Sequence, residues 1–263
     1  MLKYFLKKNY LFKDLYKNDE CYIFGNGASI KKYNLKNFSK KKTMVCGWFY
    51  LHKDFNYLNT VCDFEIHPGV FFYLWKNEYK KKYEINKILK FFNETNRISE
   101  KIPFFTSLIN FPFIFYKKKI YYLYHFGYKE INYNFIDPTS TFSLLKGSMY
   151  TMIGLAKFMG FKKIYLVGMD YLFDGSNYGH FYEKNFDNDT NQKNLIDKIF
   201  FDYFNKIMSI TVICSRKNTC SSLNSVKYEE FFKEDEKNFD NKDLVPIENL
   251  IKLDKLGLNY KIF

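Results

Sequence analysis

The stretch of the chain that most constrains its fold runs from Phe161 to His180, FKKIYLVGMDYLFDGSNYGH. Its first half predicts a buried strand, because apolar residues stand between a lysine pair and Gly168. A polar, aromatic loop follows at once and ends at His180. In open α/β sheets, the loops after the strands carry the chemistry. The stretch therefore predicts a strand that leads directly into a reactive loop.

Other strands and helices alternate around this stretch. Strands are predicted at 20–24, 42–50, 59–67 and 210–214, helices at 70–92, 147–160 and 185–209, and one edge strand around Ile102 to Phe105. The first three strands lead into Gly25, Gly47 and His67, so their loops are expected to converge on one crevice. The alternation predicts an α/β fold, a Rossmann-like and mostly parallel sheet with helices on both faces.

The length of 263 residues suits a single α/β domain over 21–263, preceded by a basic amphipathic extension over 1–20. The extension could lie on an anionic membrane or pack on its own domain. A net charge of +13 favours anionic partners, but two arginines in the whole chain argue against base readout and so against a nucleic-acid partner.

Cysteine usage and hydropathy bear on location. The five cysteines form no CxxC pair, which predicts reduced, buried thiols in the cytoplasm. No apolar run reaches the ~18 residues that a membrane span requires, so the protein is expected to be soluble or peripheral on the inner membrane.

A glycine turn follows the first strand. The segment Gly25 to Ile30 reads GNGASI, an arrangement in which backbone N–H groups can approach a phosphate. The glycines could equally serve a tight strand-to-helix turn for steric reasons alone. Both interpretations remain open for Gly25, Asn26 and Gly27.

His180 is the strongest candidate for proton transfer. It lies near Tyr171, Tyr178 and Asp170, and a neutral imidazole there could take a proton from an incoming hydroxyl. Tyrosine hydroxyls could hydrogen-bond a phosphate leaving group without a metal. The alternative is an ordinary loop histidine.

The Asp-Asn-Asp sequence at 187–189 has the spacing of a metal motif, but it is better interpreted as a helix N-cap, so no metal is expected.

Several blocks resemble the bacterial sialyltransferases of glycosyltransferase family forty-two, which modify lipooligosaccharide. The family's GNGPSL is similar to Gly25–Ile30, and its Cys-Asn-Gln-Phe-Tyr segment is similar to Cys46–Tyr50. Further similar blocks are His67–Phe72, Lys146–Tyr150, Gly160–Leu172 and Lys242–Ile247. The resemblance covers Tyr22 to about Leu253 in order.

The resemblance implies a metal-independent, inverting transferase that uses a CMP-activated sialic acid and a glycan acceptor of lipooligosaccharide or capsule. It implies His180 as the base and Tyr171 and Tyr178 as helpers of the departing phosphate. The residues that it places around the donor are Gly25, Asn26, Gly27, Gly47, His67, Gly147, Ser148 and Asp170. Membrane contact and a homo-oligomer stay open.

Departures from the family pattern widen the choice of donor and of activity. Gly47 and His67 replace two asparagines, so other nonulosonic acids on CMP are also expected donors. The short stretch between Tyr171 and His180 predicts a GT-A-like variant with a reduced lid. Similar blocks occur in hydroxymethylpterin pyrophosphokinase-like proteins and motility accessory factors. The alternatives are therefore a magnesium-dependent nucleotide transferase or a non-catalytic basic adaptor for membranes or polyanions.

Overall fold

One sheet of parallel strands organises the molecule. The computed structural model describes residues 2–65, 90–95, 101–111, 119–124, 131–145, 147–174, 179–184, 197–257 and 260–263. In this part of the chain the sheet has eight strands in the order β5-β4-β3-β2-β1-β6-β7-β8. Their bounds are β1 Glu20–Phe24, β2 Lys42–Cys46, β3 Asn59–Glu65, β4 Phe104–Ser107, β5 Ile120–Leu123, β6 Lys163–Val167, β7 Ser209–Cys214 and β8 Ser225–Lys227.

The α-helices assigned in the described segments are α1 Leu2–Lys7, α2 Ser148–Phe158, α3 Lys198–Asn205, α4 Tyr228–Phe232, α5 Asn241–Leu244 and α6 Ile247–Asp254. Two of their beginnings have clear local causes. Asp197 caps α3 by accepting a hydrogen bond from the N–H of Phe200 at 2.9 Å. Asp240 and Asp243 form a capping box at the start of α5. Short 3-10 turns, such as Ala28–Lys32 and Asp170–Leu172, follow several strands.

Apolar side chains cover both faces of the sheet. One cluster joins the sheet to α2 and α3 through Met152, Ile153 and Phe204. The other joins it to the C-terminal helices and to the turn after β1 through Ile30 and Leu250. A sheet buried on both faces needs strands that are apolar throughout, and the fully buried core of β1 meets this need.

The strand order reverses at β1. The chain moves outward from β1 to β5, and β6 then returns to the other side of β1. In open parallel sheets, the crevice at the carboxyl ends of the strands at such a switch point is the usual ligand site. The loops after β1 and β6 therefore flank the expected position of a ligand.

The fold class predicted from the sequence is confirmed, since the described strands pair in parallel and both faces are covered by helices and turns. The prediction of buried thiols is also confirmed, because all five cysteines are buried and free. Within the described segments, no helix is long and apolar enough to cross a bilayer.

One strand prediction was wrong. The segment around Ile102–Phe105 was predicted to be an edge strand because of Pro103, but β4 pairs with β3 on one side and β5 on the other. Pro103 lies just before the strand and contributes its carbonyl, which accepts a hydrogen bond from the N–H of Asp63 at 2.9 Å. Its missing N–H is therefore not needed. Both edge strands, β5 and β8, were missed.

Other boundaries changed less. The second strand ends at Cys46 and a 3-10 turn occupies Phe49–Leu51, so the predicted strand 42–50 was too long. Most of the predicted helix 70–92 lies outside the described residues, as does 185–196 of the predicted helix 185–209.

The N-terminal segment crosses from β5 to the end of α2. Asn9 is fully buried, and its side-chain amide donates hydrogen bonds to the carbonyls of Tyr122 at 2.8 Å and Pro138 at 2.7 Å. Further along, the N–H of Asp14 donates to the carbonyl of Phe158 at 3.0 Å. These bonds hold residues that are far apart in the sequence.

We expect Asn9→Ala to lower the free energy of unfolding by about 2 to 3 kcal/mol, because it leaves two carbonyl groups without their buried donor. Urea denaturation measures this change. Asn56→Ala, at an exposed position of a 3-10 turn, is the matched control and should change stability by less than about 0.5 kcal/mol. Equal losses in the two variants would contradict the role of Asn9.

Candidate active site

Two backbone turns meet at the switch point. The N–H of Gly25 donates to the carbonyl of Val167 at 2.8 Å, and the N–H of Gly27 donates to the carbonyl of Gly168 at 2.9 Å. A Cβ atom on Gly25 would lie 2.5 Å from the carbonyl oxygen of Gly168. Only glycine allows this approach, so the turns after β1 and β6 form one continuous backbone surface.

A buried carboxylate links the same two turns. Asp170 accepts hydrogen bonds from the backbone N–H of Ser29 at 2.7 Å and from its hydroxyl at 2.5 Å. A Cβ atom on Gly27 would lie 2.4 Å from Cγ of Asp170. Burial raises the pKa of Asp170 to about 6, although the hydrogen bonds from Ser29 oppose this shift. Both oxygens of Asp170 thus hold the glycine turn in place.

His180 lies against this turn. It forms an antiparallel bridge with Gly27, and the N–H of the next residue, Phe181, donates to the carbonyl of Asn26 at 2.9 Å. The imidazole stacks on Tyr182, with ring centroids 4.9 Å apart and an angle of 6° between the rings. Its Nδ1 lies 3.0 Å from a carboxylate oxygen of Glu183. This contact leaves Nε2 as the nitrogen available to a ligand.

Helix α2 begins at the same place. Gly147, at its N-cap, has no side chain, so the N-cap residue offers no side-chain acceptor to the first amides of the helix. Uncapped amides at a helix N-terminus attract anions through their N–H groups and through the helix dipole. The beginning of α2 therefore offers backbone donors to the space beside the turn after β1, where the N–H groups of Gly25 and Gly27 already donate to the carbonyls of Val167 and Gly168.

These elements enclose a cavity of about 480 Å³. It brings together eight of the eleven residues that the sequence singled out: Gly25, Asn26, Gly27, Gly147, Ser148, Asp170, Tyr171 and His180. Gly47 adjoins this set without being among the lining residues, since a Cβ atom there would lie 2.7 Å from Nδ2 of Asn26. Tyr178 and His67 lie outside the described residues.

Two phenols face the cavity. Tyr171 is 45% exposed, yet it lies in a cleft where surrounding protein atoms, and secondarily Tyr150, raise the pKa of its hydroxyl. Burial, and then Asp197, raise the pKa of Tyr150 as well. Both hydroxyls are therefore protonated near neutral pH and can donate hydrogen bonds. Tyr150 was not proposed from the sequence, although its place one turn into α2 could have indicated it.

The charge of the cavity differs from that of the whole chain. No lysine or arginine is among the described residues that line it. Nor do the segments described contain a cluster of three or more His, Cys, Asp or Glu side chains suited to a metal ion. An anion in this cavity would be held by backbone amides and hydroxyl groups.

No protein-family model matches the chain, and no curated protein matches it. Its fold aligns with solved structures of a sialyltransferase, CstII from Campylobacter jejuni. The chain is similar to a bacterial sialyltransferase.

The complex of CstII with cytidine-5'-monophosphate is 22% identical, with a TM-score of 0.42, and the alignment covers 91% of this chain and 98% of that one. The complex with CMP-3FNeuAc is 19% identical with a TM-score of 0.47, and the complex with a trisaccharide acceptor and CMP is 16% identical with a TM-score of 0.46. Each of these two alignments covers 90% of this chain and 99% of CstII.

Asp170 should make stability depend on pH. Its pKa in the folded state is about 6, above the ordinary value of 3.8, so the folded state binds this proton more tightly than the unfolded state. The associated stabilisation is complete below about pH 4 and is lost as the pH rises through about 6. We expect the free energy of unfolding of the native protein to fall by about 3 kcal/mol across this interval relative to Asp170→Asn.

Urea titrations of both proteins between pH 4 and 7 measure the difference. Asn at this position can still accept from the Ser29 N–H but has an amide NH₂ in place of the second oxygen, a change that lowers stability equally at every pH, so the dependence on pH isolates the titration. Stability curves that stay parallel across the interval would contradict the assignment.

Proposed function

We propose that the protein is an inverting glycosyltransferase that moves a sialic acid or related nonulosonic acid from a CMP donor to a hydroxyl of a bacterial surface glycan, without a metal ion. The observation that carries the proposal is the meeting of His180, the uncapped beginning of α2 and the glycine turn in one cavity. A volume of about 480 Å³ also suits a nucleotide-sized ligand.

In this mechanism the phosphate of the donor lies against the amides at the start of α2, beside the turn Gly25–Gly27 that lines the same cavity. The acceptor hydroxyl attacks the anomeric carbon while Nε2 of His180 takes its proton. The bond between that carbon and the phosphate oxygen breaks, and CMP leaves with the electron pair. Hydrogen bonds from Tyr171 and the helix amides stabilise the negative charge that develops on the phosphate.

The second phenol of the mechanism has two candidates. Tyr178 was the candidate from the sequence, and it stands two residues before His180. Tyr150 shares the cavity with Tyr171, and its ring is held by an edge-on contact with Phe200 at a centroid distance of 4.6 Å. Tyr150 is therefore a further candidate for a hydrogen bond to the departing phosphate.

We expect CMP without a metal to raise the melting temperature by about 5 °C or more at a concentration of about 100 times its Kd. The variant His180→Ala should keep this shift and lose transfer by about 10²- to 10⁴-fold, because the imidazole acts on the acceptor proton and not on the nucleotide. Thermal shift and a transfer assay with CMP-sialic acid and a trisaccharide acceptor measure the two effects.

A parallel screen with UDP, GDP and ATP, each with and without magnesium, separates the alternatives. A response that requires magnesium would favour a pyrophosphokinase-like nucleotide transferase. No response to any nucleotide would favour a non-catalytic adaptor. Full transfer by His180→Ala would remove His180 as the base.

The proposal includes a cytoplasmic location with contact to the inner membrane through residues 1–20, the extension of the domain 21–263. Support comes from apolar side chains that the fold leaves uncovered there: Tyr4, Tyr10, Leu11 and Leu15 are 77%, 64%, 67% and 53% exposed. Exposed lysines, among them Lys3, Lys7 and Lys13, surround them. Apolar side chains among lysines suit an anionic lipid surface.

We expect the protein to sediment with vesicles that contain phosphatidylglycerol and not with vesicles of phosphatidylcholine alone. The double variant Leu11→Ser with Leu15→Ser should lose most of this binding. Ile199→Ser removes a similarly exposed apolar side chain, 73% exposed on α3, and is the matched control. Binding that survives the double variant unchanged would contradict the membrane contact.

A further inference from the structure

We propose that Glu183 is a positioning residue, which holds the imidazole of His180 in the tautomer with its proton on Nδ1 and so presents Nε2 to the acceptor hydroxyl. The catalytic consequence rests on the function proposed above, whereas the tautomer itself is a property of the protein without substrate.

Glu183 and His180 are joined by hydrogen bonds in both directions. One oxygen of Glu183, Oε2, lies 3.0 Å from Nδ1 of His180 and accepts the backbone N–H of His180 at 2.7 Å. In return, the N–H of Glu183 donates to the carbonyl of His180 at 2.9 Å. The reciprocal bonds close a turn of four residues, and this turn fixes the carboxylate relative to the ring.

The ionisation of Glu183 determines the tautomer. Burial disfavours the charged form, but hydrogen bonds from His180 and the backbone of Lys261 outweigh it and lower the pKa of Glu183. An ionised carboxylate only accepts hydrogen bonds. Since Glu183 therefore cannot donate to Nδ1, that nitrogen carries the proton of the neutral ring, and Nε2 is the free acceptor.

Aromatic rings hold the imidazole from two further sides. Tyr182 stacks on its face, and Tyr260 meets it edge-on at a centroid distance of 5.8 Å and an angle of 86°. The side chain of Glu183 is only 11% exposed, against 42% for that of His180. The carboxylate is thus shielded while the ring still reaches solvent and the cavity.

Other charged groups near the pair have separate roles. Asp170 interacts electrostatically with His180, but both its oxygens accept from Ser29. The ammonium group of Lys31 donates to the backbone carbonyl of Glu183 and so braces the turn. Among these groups, the carboxylate of Glu183 is the one in direct contact with a ring nitrogen of His180.

The proton balance of the step is simple. The acceptor hydroxyl gives its proton to Nε2 as its oxygen bonds to the anomeric carbon, and the ring becomes an imidazolium with protons on both nitrogens. Glu183 stays ionised and stabilises this cation through Nδ1–H. Glu183 therefore acts through His180 and touches no substrate atom.

Two variants separate orientation from charge. Glu183→Gln keeps an oxygen that accepts from Nδ1–H and from the backbone, but it removes the negative charge. Glu183→Leu removes the acceptor as well. Glu236→Gln is the matched control, because Glu236 is another partly buried carboxylate that accepts a backbone N–H, from Arg216, and has no contact with His180.

The decisive measurement is the ¹⁵N spectrum of the histidine rings in the full chain, with the His180 signals assigned through His180→Ala among the four histidines. We expect the proton on Nδ1 in the native protein, in Glu183→Gln and in Glu236→Gln, and a mixture of tautomers in Glu183→Leu. A native protein with the proton on Nε2, or unchanged ring signals in Glu183→Leu, overturns the proposal.

Transfer kinetics supply the second readout. We expect kcat to fall about 10- to 100-fold in Glu183→Gln with little change in KM for the donor, and to stay native in Glu236→Gln. Native kcat in Glu183→Gln overturns the catalytic role. If the native protein shows the Nδ1 tautomer but no transfer, the proposed function fails while the positioning of His180 by Glu183 stands.

Discussion

The close approach of two backbone turns is the constraint on which the rest of the site depends. Gly25 and Gly168 end adjacent parallel strands, and their turns bond to each other with no side chain between them. This contact uses the N–H groups of Gly25 and Gly27 and brings the residues after β6 beside the first turn. Asp170 fixes the arrangement through its hydrogen bonds from Ser29, and His180 forms an antiparallel bridge with Gly27 of the same turn.

Much of this arrangement could be predicted from local patterns. Two apolar runs of the sequence are each followed by a glycine, Gly25 or Gly168. This pattern is typical of the carboxyl end of a buried parallel strand, so the sequence predicts both strand ends. The sequence also predicts helix α2, because apolar residues at helical spacing begin after Gly147 and end at Gly160. The carboxyl ends of parallel strands lie at one edge of a sheet. The predicted order of these strands and helices therefore also predicts that most of the candidate residues lie close together.

The remaining features depend on contacts between distant parts of the chain. Pro103 correctly predicts a strand boundary. Whether β4 has one neighbouring strand or two depends on β5, which no sequence pattern predicts. The excess of lysine predicts anion binding. It does not predict that the described residues lining the cavity include no lysine. The role proposed for Glu183 could not be predicted from its spacing to His180 alone, because it depends on the turn that brings the carboxylate against Nδ1 and the backbone N–H of His180.

The path of the N-terminal segment has a consequence for how the protein is made. Asn9 bonds to carbonyl groups 113 and 129 residues further along the chain, and Asp14 bonds to Phe158. At a synthesis rate of about 5 to 20 residues per second, these partners leave the ribosome roughly 5 to 30 seconds after the segment does. Phe12 and its apolar neighbours are uncovered during that interval. Residues 9–14 therefore wait for these native contacts until the chain has been made as far as Phe158, and a nascent chain halted before α2 would expose them to chaperones.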